Sequence, residues 1–154
     1  NEIAKAVVLS VFIPLIISSG GNSGSQASTL VIRAMALGEV KLSDWWRVVH
    51  REVVQGLSIG AILGLIGLTR VYIWEAFFHR YAPNTTQLAI TVAGSVMGVV
   101  TFGTMTGSML PFLLRRVRLD PASASAPFVA TLVDVTGIVI YFTIASIMLH
   151  GTLL

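Results

Sequence analysis

A single carboxylate, Asp134, stands within a run of otherwise uncharged residues from Pro121 to Leu149. At the centre of a bilayer such a group costs about 2.5–3.5 kcal/mol on insertion scales. No Lys or Arg lies in the apolar part of any other long run to pair with it. It must therefore face water, an ion, a partner subunit or a protonation event; a protonated acid hydrogen-bonded in a helix contact is the plainer alternative. A second polar feature lies far away in the chain, Ser18-Ser19-Gly20-Gly21-Asn22-Ser23-Gly24-Ser25-Gln26. Its hydrogen-bonding side chains cannot face lipid, where polar or irregular backbone survives only when buried in protein or lining a wet cavity. Glycine lets another backbone or a hydrated ion come close. Along the last run, Ala126, Ala130, Asp134, Gly137 and Tyr141 fall at spacings that share one helical face. Small side chains with one acid on such a face suit a narrow, oxygen-lined path for a hard cation. Magnesium sheds its waters reluctantly and uses few carboxylates. One Asp per chain, doubled by a two-fold axis, would hold such an ion through its water shell, and this chemistry serves Mg2+, Mn2+ or Ca2+ alike.

The elements that must position these groups are membrane spans. Of the 154 residues, 55% are hydrophobic and only 11% charged, against about 25% charged in a soluble domain. With no cysteine, disulfides and thiolate metal sites are excluded. A spanning helix needs about 20 apolar residues, and four segments qualify, at about 6–37, 45–74, 85–114 and 121–149. The expected fold is thus all-α, a polytopic membrane helix bundle with about four long transmembrane helices. Asn84 with Gln87, Ser43, and Asp120 before Pro121 read as N-caps for the later spans. Pro111 is expected to kink or end the third. Gly56, Gly60 and Gly64, and likewise Gly94 and Gly98, read as close helix contacts.

Basic residues set the orientation. Arg33, Lys41, Arg47 and Arg51 surround the first joint, and Arg115, Arg116 and Arg118 the third, against Lys5, Arg70 and Arg80 on the other side. Residues 34–50 and 115–120 are expected to be cytoplasmic in a multi-pass cell-membrane protein, with residues 70–86 and both chain ends outside. An outward first end implies a preceding span outside this sequence. The arginines suit anionic headgroups rather than nucleic acid. Tyr72, Trp74, Trp45 and Trp46 suit the two interfaces. Glu52 reads as the partner of a basic neighbour or an attractor of cations at the inner mouth. His50, His79 and His150 share no metal-ligand spacing. An intramembrane aspartyl protease would need a second membrane aspartate, and Asp134 is the only one.

At these residues the chain resembles the MgtE family of magnesium channels. The resemblance runs through Phe12-Ile13-Pro14-Leu15, Gly20-Gly21-Asn22-Ser23-Gly24-Ser25-Gln26, and Thr29 to Ala34. It continues through Gly107-Ser108-Met109-Leu110-Pro111-Phe112-Leu113-Leu114-Arg115-Arg116 and Asp120-Pro121. It closes on Pro127-Phe128-Val129-Ala130-Thr131-Leu132-Val133-Asp134-Val135-Thr136-Gly137. It implies that residues 1–154 are a transmembrane ion-conducting domain corresponding to spans two to five of a homodimer. It implies a pore along the dimer axis, with Gly20, Gly21, Asn22, Gly24, Ala126 and Gly137 lining it. Asp134 would hold hydrated Mg2+, and the backbone carbonyl of Ala130 would face the same ion. Family members usually carry cytoplasmic regulatory domains in addition. The family often has Asn where this chain has Ala126. The resemblance leaves open a passive channel or an ion-coupled secondary transporter of divalent cations.

Overall fold

The computed structural model describes residues 7–79, 81 and 84–149. The expectations placed on Lys5, Arg80 and His150 lie outside those residues. Four long helices carry the fold, α1 (Ile13–Ala36), α2 (Trp45–Phe78), α3 (Thr85–Arg116) and α4 (Ala126–Met148), with no strand among the described residues. Counting a preceding helical stretch from Val7 as part of the first, all four are long and apolar enough to cross a membrane. Short 3-10 turns, Leu42–Asp44 and Pro121–Ser123, precede α2 and α4.

Helix α3, uncharged as far as Leu114, occupies the centre. It packs against α2, α1 and α4, while α1 also packs on α4 and α2 barely touches α1. The fold is therefore a triangle of α1, α3 and α4 with α2 laid on the outside of α3. Val92, Val96, Val99 and Val100 of α3 are fully buried. The outward faces stay apolar, with Ile62, Leu65 and Ile66 on α2 and Val135, Val139 and Ile147 on α4 all exposed. Such a surface suits lipid or another membrane chain.

Glycine sets how near the helices come. A Cβ at Gly60 would lie 2.8 Å from Met97 Cα, and one at Gly64 would lie 2.9 Å from the Ala93 carbonyl oxygen. The expected contact face of α2 is thus real, and it meets α3. Gly98 has only ordinary contact with Ile144 of α4, and a Cβ at Gly94 would meet nothing within 4 Å. The expectation that Gly94 serves a helix contact is not met within the chain.

The helix ends depart from the sequence reading in instructive ways. Asn84 precedes α3 and Asp44 precedes α2, and neither makes a side-chain cap bond; Ser43 lies inside the 3-10 turn. Asp120 does cap, but it caps the 3-10 turn, accepting from the Ala122 N–H at 2.9 Å. That turn closes on itself when the Ala124 N–H bonds the Pro121 carbonyl at 3.0 Å. The last span therefore starts at Ala126 rather than Pro121, with Pro127 in its first turn, where a missing N–H costs nothing. Helix α3 runs through Pro111 to Arg116. Pro111 and Phe112 are buried there, and membrane helices tolerate a proline when neighbours surround it.

The two basic joints meet at one end of the bundle. Leu42 and Trp45 share a groove with Leu113 and Arg116, and Met35 and Ala36 share another with Arg115 and Asp120. At the far end Arg70 lies over the rings of Phe12 and Trp74, each 5.6 Å away. The aromatic residues Trp45, Trp46, Tyr72 and Trp74 are exposed near the helix ends, as interfacial rings are.

Candidate functional site

The polar stretch of the first span is a continuous α-helix. Its hydroxyls bond the carbonyl one turn back: Ser19 to Leu15 at 2.6 Å, Ser23 to Ser19 at 2.8 Å, Thr29 to Ser25 at 2.9 Å. Each polar side chain so folded onto its own backbone presents less unmet polarity to the bundle.

Two adjacent faces of α1 do different things. Gly20 and Gly24 turn toward α3. A Cβ at Gly24 would stand 2.9 Å from the Gly103 carbonyl oxygen, and one at Gly20 would stand 2.5 Å from Val99 Cγ1. Gly103 and Gly107 answer from α3, each facing a carbonyl of α1, those of Gly20 and Gly24 respectively. Within the chain, then, Gly20 and Gly24 belong to a packed crossing. Gly137 joins them in the interior, where a Cβ would lie 3.0 Å from Val99 Cγ1.

Gly21, one residue on, turns toward α4. A Cβ there would run into Asp134 Oδ1, and would lie 3.4 Å from Asp134 Cγ and 3.6 Å from the Ala130 carbonyl oxygen. The structure thus brings together Gly21, the Asp134 carboxylate and the Ala130 carbonyl, residues separated by more than a hundred positions in the chain. Asp134, Ala130 and Ala126 are half-buried, and Asn22, beside Gly21, is exposed and donates to Ser18 Oγ at 3.3 Å. The expected stripe along α4 divides. Ala126, Ala130 and Asp134 border the open side, whereas Gly137 and Tyr141 are buried with Val129, Val133 and Ala145. Tyr141 is a core tether, its hydroxyl donating to the Leu9 carbonyl at 2.9 Å.

Two serines complete the arrangement, Ser25 from the polar stretch and Ser28, which sequence reasoning did not name. The Ser25 hydroxyl donates to the Gly21 carbonyl at 2.8 Å and also lies 3.0 Å from the Ala126 carbonyl. The buried Ser28 hydroxyl donates to the Ala124 carbonyl at 2.7 Å. Their place on the face of α1 that carries Gly21 was legible; which distant backbone they reach was not.

Glu52 is only 6% exposed, and its Oε2 has no hydrogen-bond partner. His50 and His79 are exposed. Among the described residues no group of three or more His, Asp or Glu is placed to hold a metal. What one chain offers a cation is a single carboxylate, seated where the missing Cβ of Gly21 leaves room for it, and a carbonyl beside it. That combination suits outer contacts to a hydrated ion better than direct capture of a bare one.

Comparison with known proteins bears on the family of the chain. The family model described as MgtE, divalent cation transporter, matches residues 13–144. The magnesium transporter MgtE of Thermus thermophilus is 41% identical over 98% of this chain. Those of Enterococcus faecalis and Bacillus subtilis are 33% and 30% identical over 96% and 98%. The chain spans about a third of each relative's length, 32%, 31% and 32% in turn. With the family's matched region running through both the Gly21 and the Asp134 segments, the chain belongs to the MgtE family.

Proposed function

We propose that this chain is the membrane-embedded conducting part of a magnesium transporter, a passive channel in which hydrated Mg2+ crosses through a pore on the axis of a homodimer. The observation that carries the reading is the meeting of Asp134 and the Ala130 carbonyl with Gly21, on helices of membrane length and on a side that the chain's own packing leaves partly open. A two-fold axis beside that side sets two Asp134 carboxylates near one another. Their mutual repulsion is relieved by a divalent cation between them. The ion keeps its waters, which donate to the carboxylates and the Ala130 carbonyls. Gly21 contributes room, since any side chain there would occupy the carboxylate's own place. Asn22 and Ala126 border the path. Mn2+ and Ca2+ compete for the same oxygens. The basic joints, at 34–50 and 115–120, face the cytoplasm of a cell whose plasma membrane holds the protein. The relatives' names, which say magnesium transporter, point the same way.

The test is Mg2+ flux into proteoliposomes carrying the full-length protein. Asp134→Ala should abolish or strongly reduce the flux while the protein still assembles. Unchanged flux would remove Asp134 from the mechanism. Uphill Mg2+ accumulation driven by a sodium or proton gradient would replace the channel with a coupled transporter.

A further inference from the structure

Helix α4 is held to the rest of the bundle by hydrogen bonds at both ends of the site. On the outer side, Tyr141 bonds the Leu9 carbonyl. On the inner side, the bonds come from α1. The hydroxyls of Ser19, Ser23 and Thr29 return to their own helix, whereas Ser25 and Ser28 reach α4 or the segment before it. Ser28 is fully buried and takes the carbonyl of Ala124, itself fully buried. The ladder of α4 begins one residue later, with the Val129 N–H on the Ser125 carbonyl. Ser28 therefore fixes the segment from which α4 departs. Ser25 sits one turn nearer the site, and its single hydroxyl hydrogen is shared between Gly21 in α1 and Ala126 at the first residue of α4. Gly21, Ser25 and Ser28 follow at spacings of four and three, so all three lie on the face of α1 turned to α4. From Ala126, successive turns of α4 bring Ala130 and then Asp134.

We infer that Ser25 and Ser28 are positioning residues of the cation site, a pair of hydroxyls that set where α4 starts against α1 and so where the Ala130 carbonyl and the Asp134 carboxylate stand opposite Gly21. The inference rests on the reading of Asp134 as the group that holds the ion. Neither serine touches the ion. Each acts through the backbone it grips, as outer hydrogen bonds do around metal ligands. Ser28 is the fixed tie. Ser25 is the adjustable one, since its hydrogen can turn wholly to Gly21 and leave the Ala126 carbonyl free.

The experiment uses the full-length protein in proteoliposomes containing a Mg2+-sensitive dye. Initial flux is measured against Mg2+ concentration, with and without Mn2+ as competitor, for Ser25→Ala, Ser28→Ala, Ser25→Thr and Asp134→Asn. The alanine variants should raise the half-saturating Mg2+ concentration by about tenfold or more and alter the Mn2+ competition, while the amount of monodisperse protein stays the same. Ser25→Thr, which keeps the hydroxyl, should return to within about twofold of the parent. A purely structural role would lower protein yield without moving half-saturation. If Ser28→Ala fails to fold at its buried position, Ser25→Ala carries the test. Parental half-saturation and competition in the folded alanine variants, with Asp134→Asn still impaired, would overturn the positioning role alone. Parental flux in Asp134→Asn would overturn the reading of the site and this inference with it.

Discussion

Gly20 and Gly21 are neighbours in sequence and opposites in use. Gly20, with Gly24, meets Gly103 and Gly107 of α3 in a crossing where backbone touches backbone. Gly21 meets a carboxylate and a carbonyl of α4, with the hydroxyls of Ser25 and Ser28 further along the same face. At the first face the missing Cβ is a packing device, the means by which membrane helices gain contact that hydrophobicity cannot give them. At the second it keeps space beside a charge. A run of small residues in a membrane helix thus has no single meaning. Its meaning depends on which helix stands opposite, and a rotation of about 100° per residue is enough to change it.

Three substitutions test the contrast between the two faces. The largest effect is expected from Gly107→Ala. A Cβ there would run into the Gly24 carbonyl, and backbone on both sides cannot rotate out of the way as a side chain can. Overpacking of about 1–3 kcal/mol or more should result, seen as a lowered thermal midpoint and reduced monodisperse protein in detergent. Gly21→Ala comes next and separates the faces. Its Cβ meets a side chain, Asp134, which can turn aside. Folding should survive while Mg2+ flux falls about tenfold or more, the scale of loss when a group near a metal site is disturbed. Equal loss of folded protein in both variants would erase the distinction. The smallest effect belongs to Gly94→Ala. With nothing within 4 Å of the new methyl, stability should stay level or rise by about 0.5–1 kcal/mol through helix propensity. A marked destabilisation there would show that another chain packs on that face.

Four spans, their order and the clustering of basic joints follow from hydropathy and charge, because the bilayer imposes a length and a polarity on every segment. Asp134 was legible because an unpaired acid in an apolar run has few inexpensive explanations. Its neighbours on α4 were only half legible. Ala126, Ala130, Asp134, Gly137 and Tyr141 share a helical face, but that face is broad enough to straddle the interior and the open side, and periodicity does not mark the dividing line. Gly137 and Tyr141 went inward. The start of α4 was misplaced for a local reason: Asp120 and Pro121 are a sound cap and first position, but for a 3-10 turn that closes after three residues. Ser25 and Ser28 were hidden because a serine in a helix usually bonds its own backbone. Only the fold shows that these two reach across about a hundred residues of chain. Glu52 was half legible: its place beside Arg51 is in the sequence, but the burial of its carboxylate with Oε2 unpartnered is not.

The central claim is that a hydrated divalent cation rests against Asp134. Crystals of the full-length protein soaked in Mn2+, with data collected at the manganese absorption edge, test it most directly. An anomalous peak is expected on a two-fold axis between paired Asp134 carboxylates, one layer of water away from them and near the Ala130 carbonyls. Manganese bound elsewhere in the membrane region, with no peak beside Asp134, would contradict it.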